Sequence, residues 1–208
     1  MITVHHLNNS RSQRILWLLE ELGVDYQIAF YERDPVTRLA PATLKAVHPL
    51  GKSPVITDEG RTIAESGAIL EYLATRYGGG RLTPAPGSQA ALDYLHWMHF
   101  AEGSAMLPLM LALYTSRLGE AAAALAPRII SEVANHLDYM EGALADRPCF
   151  AGNDFTACDV QMTFVLEAAA AGGRLATYPR LTEYLDRMQA RPAYQRALDR
   201  GGPYTLGR

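Results

Sequence analysis

The sequence predicts a small α/β domain followed by an all-helical domain, and three observations lead to this prediction. Residues 1–77 alternate short apolar stretches with stretches of helical periodicity, which is typical of a mixed sheet with flanking helices. Residues 78–87 are rich in glycine and proline, which interrupt both kinds of element. Beyond them the apolar residues recur at helical spacing. We therefore expect domains at 1–78 and 88–208, joined by a linker at 79–87.

The first domain is predicted to contain a four-stranded mixed sheet. We expect strands at 2–5, 26–31, 54–57 and 62–63, and helices at 11–22, 41–47 and 65–77. The first helix has apolar residues at helical spacing, and Gly23 should end it. Because a helix separates the first two strands, their connection should be a right-handed crossover that leaves them parallel.

The second domain is predicted to be a helical bundle. We expect helices at 88–114, 120–144, 156–171, 179–189 and 192–198. Thr156 and Asp159 have the spacing of a capping box at the start of a helix that is apolar nearly all round. We assign this motif a structural role, because a buried helix end must satisfy its own polar groups.

Composition excludes several classes of protein. The chain has 208 residues, 49% of them hydrophobic, which is enough for two compact domains. Its net charge of −3 argues against nucleic acid and against an anionic membrane as partners. There is no apolar run long enough to cross a bilayer, and residues 1–5 lack the features of a secretory leader. The two cysteines, Cys149 and Cys158, form no Cys-x-x-Cys pair, so we predict a cytoplasmic protein and assign both to packing.

The most informative stretch is Gly-Lys-Ser-Pro-Val-Ile at 51–56, followed by Ala-Glu-Ser-Gly at 64–67. Pro54 should begin a strand, and a cis bond before it would turn the backbone of Ser53 outward to pair with an extended peptide. Glu65 and Ser66 open an apolar helix, whose free N–H groups can hold a carboxylate while the Glu65 side chain faces an ammonium group. These are the needs of a small γ-linked peptide. The alternative is an ordinary turn followed by an acidic helix cap.

These two motifs resemble the glutathione-binding half of the cytosolic glutathione S-transferases, and the helical second half extends the resemblance over nearly the whole chain. The resemblance implies a thioredoxin-like first domain and a helical domain that binds the acceptor substrate. It also implies a homodimer, with glutathione as co-substrate and no metal. The implied activity is attack of the glutathione thiolate on small electrophiles, as in detoxification.

The resemblance also assigns ligand contacts. Ser53 should pair through its backbone with the cysteinyl part of glutathione, at the edge that Pro54 begins. Glu65 and Ser66 should hold the γ-glutamyl amine and carboxylate. Lys52 is expected to reach the glycyl carboxylate, although it reads equally well as a solvated loop lysine.

Ser10 is the predicted thiol-activating residue. A free thiol has a pKa of about 8.5, and lowering it by about two units requires about 2.7 kcal/mol of preferential stabilisation of the thiolate. A charge-assisted hydrogen bond contributes about 1.5–3 kcal/mol. Ser10 follows the first strand and opens the first helix, as in the serine-type branches of the family. Asn9, Ser12 and His6 are alternative partners of the sulfur, and Ser10 with Gln13 could instead form a plain capping box.

Other activities stay open at this point. The end of the first strand has neither the tyrosine of the tyrosine-type branches nor a cysteine, which disfavours a thiol–disulfide reductase. Isomerisation, dehalogenation or peroxide reduction with glutathione are alternatives, as is a non-catalytic module that binds glutathione or an apolar ligand. His96, His99 and Glu102 have helical spacing that suits a metal, but nothing else in the sequence completes such a site, so no metal is predicted.

Overall fold

A computed structural model describes residues Met1–Leu206. The chain divides into two compact units. One contains Met1–Thr83 together with the segment that starts at Met188, and the other is Pro84–Arg187. The domain limits predicted from the sequence stay a prediction.

The first unit is built on the predicted four-stranded mixed sheet. Its elements are β1 (Ile2–Leu7), α1 (Gln13–Leu22), β2 (Tyr26–Tyr31), a 3₁₀ turn (Ala42–Ala46), β3 (Val55–Asp58), β4 (Arg61–Ala64), α2 (Ser66–Tyr77) and, from the end of the chain, α8 (Pro192–Gly201). The strand order is β2-β1-β3-β4. β1 runs parallel to β2, and β3 is antiparallel to both β1 and β4. The thioredoxin-like fold class is therefore confirmed.

α1 forms where the apolar periodicity predicts it, but it begins two residues later than expected. Its inward face is fully buried at Ile15, Leu16, Leu18 and Leu19. The helix ends at Gly23, whose φ of 68° belongs to the left-handed region that glycine adopts without steric cost. The later start arises because the Ser12 N–H donates to Ser10 Oγ, 3.2 Å away, and this holds residues 10–12 in a turn.

α8 packs against α1 inside the first unit. The rings of Trp17 and Tyr194 meet edge to face, with their centroids 5.2 Å apart. Arg191 Nε donates to Glu21 Oε1 at 2.6 Å, and a second glutamate, Glu20, accepts from two further arginines of α8. A helix from the end of the chain thus completes the core around α1.

The second unit is helical throughout its regular elements. They are α3 (Gln89–Phe100), a π-helical segment (Ala101–Ala105), α4 (Met106–Thr115), a 3₁₀ turn (Gly119–Ala122), α5 (Ala126–Ala143), α6 (Ala157–Ala171) and α7 (Pro179–Gln189), whose last residues belong to the first unit. The helix predicted at 88–114 is therefore interrupted by a wider turn. Gly103 lies in this π segment, and Pro108, which has no N–H to donate, falls in the first turn of α4.

The start of α5 was predicted too early. Residues 120–125 are not α-helical, and the helix begins at Ala126 with Pro127 in its first turn. Proline is favoured at that position because the first N–H groups of a helix have no partner within it. The signal for this boundary was therefore in the sequence, although the alanine-rich stretch before it has high helix propensity.

The predicted capping box at the start of α6 is present. The Asp159 side chain is fully buried and accepts from the Thr156 N–H at 2.8 Å. It also accepts from the Phe150 N–H at 2.9 Å and from the Tyr184 hydroxyl at 2.8 Å. One carboxylate therefore joins the helix start, the segment before it and α7.

Among the residues that the structure describes, no helix has both the length and the apolar character needed to cross a membrane.

Candidate functional site

The structure brings the loop after β1, the turn before β3 and the start of α2 to one end of the sheet. In the antiparallel pairing of β1 with β3, His5 lies opposite Val55, so the loop after β1 adjoins the turn before β3. Val55 also lies opposite Ala64, which places the start of α2 at the same end. The loop carries Asn9 and Ser10, the turn carries residues 52–54, and α2 opens with Glu65 and Ser66.

Ser53 is held by its side chain. The Ser53–Pro54 peptide bond is cis. Ser53 Oγ donates to the carbonyl oxygen of His5 at 2.8 Å, which fixes the turn against β1. Because the hydroxyl is engaged in this bond, a ligand would meet the backbone of Ser53.

Glu65 has an unusual backbone conformation at the start of α2. Its φ of 71° and ψ of 120° lie in a region that residues other than glycine rarely adopt, and its side chain is exposed. Its carbonyl oxygen accepts the first hydrogen bond of the helix, from Ile69 N at 2.9 Å. Strained residues of this kind cluster at ligand-binding positions, where the surrounding structure holds them in place.

Arg14 is a site residue that the sequence analysis did not assign. It is buried on α1, with 2% of its surface exposed, and its Nη1 donates to Ser66 Oγ at 3.0 Å. The available signal was an arginine within a run of buried helical positions, since such a charge needs a specific partner.

Ser10 lies in a buried hydrogen-bonded chain. Its hydroxyl is 2.8 Å from that of Ser12, and Ser12 Oγ is 2.9 Å from His6 Nδ1. The proposed capping box between Ser10 and Gln13 is not formed, because the buried side-chain amide of Gln13 has no hydrogen-bond partner within residues 1–206. The three candidates Ser10, Ser12 and His6 therefore form one connected group.

Asn9 and Lys52 differ in how firmly they are held. Asn9 has a φ of 49°, and its Oδ1 accepts from the Thr205 N–H at 2.5 Å, which anchors that side chain by its oxygen. Lys52 is exposed in the turn before Pro54. Its two interpretations, a contact for the glycyl carboxylate and a solvated loop lysine, therefore both stay predictions.

The cysteines do not contribute to this end of the sheet. Cys149 and Cys158 are buried and form no disulfide bond with each other. Burial raises the pKa of the Cys158 thiol well above its usual value, so it stays protonated. In the part of the chain that the structure describes, no three His, Cys, Asp or Glu residues are grouped so that they could hold a metal ion.

The helical unit contains a cavity of about 570 Å³. This volume falls within the range that takes small organic molecules. Its walls come from the end of α4, the first half of α5 and the turn after α6. The apolar residues that line it include Ala112, Ile129, Ile130, Val133 and Leu137.

Comparison with known proteins matches two parts of the chain to one family. Residues 1–75 match the family model "Glutathione S-transferase, N-terminal domain", and residues 103–192 match "Glutathione S-transferase, C-terminal domain". Glutathione S-transferase 3 of Schizosaccharomyces pombe is 40% identical over 187 residues, which cover 81% of this chain and 74% of that protein.

Solved structures extend the similarity to the whole fold. A glutathione S-transferase from Actinobacillus pleuropneumoniae superposes with a TM-score of 0.90 at 35% identity, covering 97% of this chain and 93% of that one. A sphingomonad glutathione S-transferase in complex with glutathione gives a TM-score of 0.78 at 29% identity, covering 96% and 98%. The chain belongs to the glutathione S-transferase family. It is an enzyme of that class, a glutathione transferase.

Proposed function

We propose that Ser10 activates the glutathione thiol by donating a hydrogen bond to the thiolate. The observation that carries this proposal is the position of Ser10, which lies in the turn before α1 at the same end of the sheet as Ser53 and the start of α2. A hydroxyl donor and a helix N-terminus both favour an anion over a neutral thiol. The thiolate then attacks an electrophilic carbon, a sulfur–carbon bond forms, and the leaving group departs with its electron pair or the acceptor bond takes up the electrons.

The other parts of glutathione are assigned to the residues around Ser10. Glutathione would lie with its cysteinyl part on the backbone of Ser53, beside Pro54. The Glu65 carboxylate would take the γ-glutamyl amine, and Ser66 with the first N–H groups of α2 would take the adjacent carboxylate. Lys52 is proposed for the glycyl carboxylate.

The sphingomonad relative that was solved with glutathione supports glutathione as the co-substrate here. We assign the acceptor electrophile to the helical domain at 88–208, where the cavity has the size and apolar lining that a small apolar molecule needs. A homodimer in the cytoplasm that detoxifies small electrophiles is the setting that family membership favours.

The experiment that tests this proposal is a pH titration of bound glutathione, followed by the ultraviolet difference absorbance of its thiolate. In the wild type we expect a bound thiol pKa about two units below the free value of about 8.5. Ser10→Ala should raise it back towards that value. Ser88→Ala is the matched control, because Ser88 Oγ serves the start of α3, where it accepts from Ala91 N at 3.1 Å and donates to the Ala85 carbonyl oxygen at 2.7 Å.

The outcomes separate the candidate roles. A bound thiol with an unshifted pKa in both wild type and Ser10→Ala would reject the Ser10 mechanism and favour a non-catalytic binding module. A lowered thiol pKa without conjugate formation would favour another glutathione-dependent reaction, such as isomerisation, dehalogenation or peroxide reduction. Absence of binding would reject the glutathione assignment itself.

A further inference from the structure

A chain of hydrogen bonds leads from Ser10 into the interior of the first unit. Ser10 Oγ and Ser12 Oγ are 2.8 Å apart, Ser12 Oγ and His6 Nδ1 are 2.9 Å apart, and His6 Nε2 is 3.2 Å from the carbonyl oxygen of Gly201. All three side chains are buried, with Ser12 fully so and His6 only 2% exposed. The ring is therefore connected through the Ser12 hydroxyl to Ser10, which at 5% is the most exposed of the three.

The carbonyl of Gly201 fixes the direction of this chain. A carbonyl oxygen only accepts, so a neutral His6 carries its hydrogen on Nε2 and presents a lone pair on Nδ1. The Ser12 hydroxyl has two acceptors within reach, and His6 Nδ1 at 2.9 Å is closer than the Leu7 carbonyl oxygen at 3.2 Å, so Ser12 donates to Nδ1. Its oxygen then accepts from the Leu7 N–H at 3.3 Å and from the Ser10 hydroxyl at 2.8 Å. In this arrangement the hydrogen of Ser10 points inward. Ser10 therefore offers an oxygen lone pair outward, towards the proposed position of the thiol.

The position of the carbonyl depends on the absence of a side chain at Gly201. A Cβ added there would lie 2.7 Å from Gln13 Oε1, 2.8 Å from Leu16 Cδ1 and 3.5 Å from His6 Cε1. The first two distances are shorter than real Cβ contacts, so a side chain at this position would force the buried ends of Gln13 and Leu16 to shift. Gly201 is accordingly a positioning residue for the His6 ring.

We propose that His6 receives the thiol proton of glutathione through Ser10 and Ser12. The inference rests on the proposed function of Ser10. The thiol gives its proton to Ser10 Oγ while the Ser10 hydrogen passes to Ser12 Oγ and the Ser12 hydrogen passes to His6 Nδ1. Each hydroxyl ends with one hydrogen, the sulfur becomes a thiolate and the ring becomes an imidazolium. The chain is then reversed, so that Ser10 donates to the thiolate.

The surroundings of His6 suit a temporary proton acceptor. The groups recorded against its ring within residues 1–206 are the Ser12 hydroxyl, the Gly201 carbonyl, the edge-on ring of Phe30 from β2 and the close approach of α8, and none of them carries a charge. Burial lowers the pKa of His6, so the resting ring is neutral near pH 7, and the imidazolium needs a nearby negative charge to form. A thiolate at Ser10 supplies the negative charge that stabilises the imidazolium once it forms. His6 and Ser12 touch no substrate and act through Ser10.

The test is the ¹⁵N spectrum of the His6 ring in the full-length protein near neutral pH, recorded free, with glutathione and with S-methylglutathione. The proposal predicts a neutral ring with the hydrogen on Nε2 in the free protein and an imidazolium with glutathione. S-methylglutathione has no thiol proton and should leave the ring neutral. Ser12→Ala should abolish the change, and Ser12→Thr, which keeps the hydroxyl, should retain it.

His5 provides the control for a general effect on buried histidines. It neighbours His6, but its Nδ1 bonds the Tyr31 hydroxyl at 3.0 Å and lies outside the chain, so its ring signals should not follow the thiol. If His6 stays neutral while the thiolate absorbance appears, the relay is wrong and Ser10 activation stands. If neither the thiolate nor the imidazolium forms with bound glutathione, both proposals are wrong.

Discussion

Arg14 donates from Nη1 to Ser66 Oγ at 3.0 Å and so joins the two helices that open at the candidate site. Ser10 lies just before the first of these helices, and Ser66 is the first residue of the second. The helix that follows the proposed thiol activator is therefore joined to the proposed carboxylate contact by one buried side chain. Under the proposed function, Arg14 holds the Ser66 hydroxyl in position for the ligand.

Arg14→Met should weaken glutathione binding more than it slows the chemical step. A hydrogen bond to a charged group contributes about 1.5–3 kcal/mol, which corresponds to a rise of about 10- to 100-fold in the KM for glutathione. Steady-state kinetics at a saturating electrophile concentration would measure it. In a Ser66→Ala background the same substitution should have a much smaller effect on KM. Equal effects in both backgrounds would contradict the proposed link.

Ser53 should bind glutathione through its backbone and serve the fold through its side chain. Ser53→Ala removes the 2.8 Å hydrogen bond to the His5 carbonyl and should cost about 1 kcal/mol in the free energy of unfolding. The KM for glutathione should change little. Ser53→Pro also removes the N–H group and should raise that KM strongly. A large rise in KM for Ser53→Ala alone would assign the ligand contact to the hydroxyl instead.

Asp159 should be the most sensitive position of the helical unit for stability. Asp159→Ala leaves the buried donors of Phe150, Thr156 and Tyr184 without their acceptor, so we expect a loss of about 3 kcal/mol or more in the free energy of unfolding. Thr156→Ala should cost about 1–2 kcal/mol. Urea denaturation would rank the two variants. The bound thiol pKa of the folded Thr156→Ala variant should match that of the wild type.

Ionised Glu20 should add to the free energy of unfolding of the first unit at neutral pH and lose this effect in acid. Burial works to raise its pKa, but hydrogen bonds from Arg196, Tyr26 and Arg200 outweigh it and hold the pKa below the ordinary value. A carboxyl group with a lowered pKa in the folded state stabilises the fold at pH values above its unfolded pKa. That contribution is lost as the pH falls through the folded pKa.

The wild type should therefore exceed Glu20→Gln in unfolding free energy at neutral pH, and the difference should shrink below about pH 4.5, the usual glutamate value. Urea denaturation at a series of pH values would measure it. Arg196→Gln, which removes one of the partners, should reduce the same pH dependence. A difference between wild type and Glu20→Gln that does not vary with pH would show that ionisation of this residue plays no part.

The sequence predicted those features that depend on neighbouring residues. The apolar spacing around Ile15 locates α1, and the alternation before Tyr31 locates β2. Thr156 and Asp159 are three positions apart, and their capping box forms as predicted. These motifs are decided by local periodicity and local hydrogen bonds, which a single sequence displays directly.

The features that were missed connect distant parts of the chain. Arg14 and Ser66 are 52 positions apart, and His6 and Gly201 are 195 apart. No local pattern indicates that such residues meet, because their contact depends on how the sheet and helices pack. The sequence identified Ser10, Ser12 and His6 as rival partners of the sulfur, whereas the structure connects them in one chain.

The packing of Tyr194 on Trp17 also bears on the order in which the molecule assembles on the ribosome. α1 (Gln13–Leu22) is synthesised long before its partner α8 (Pro192–Gly201). The sheet and α1 therefore emerge with the apolar surface of Trp17 uncovered, and it stays so until α8 has been made. Nascent chains that stop short of α8 are expected to expose this surface to chaperones, even though every strand of the sheet has already been made.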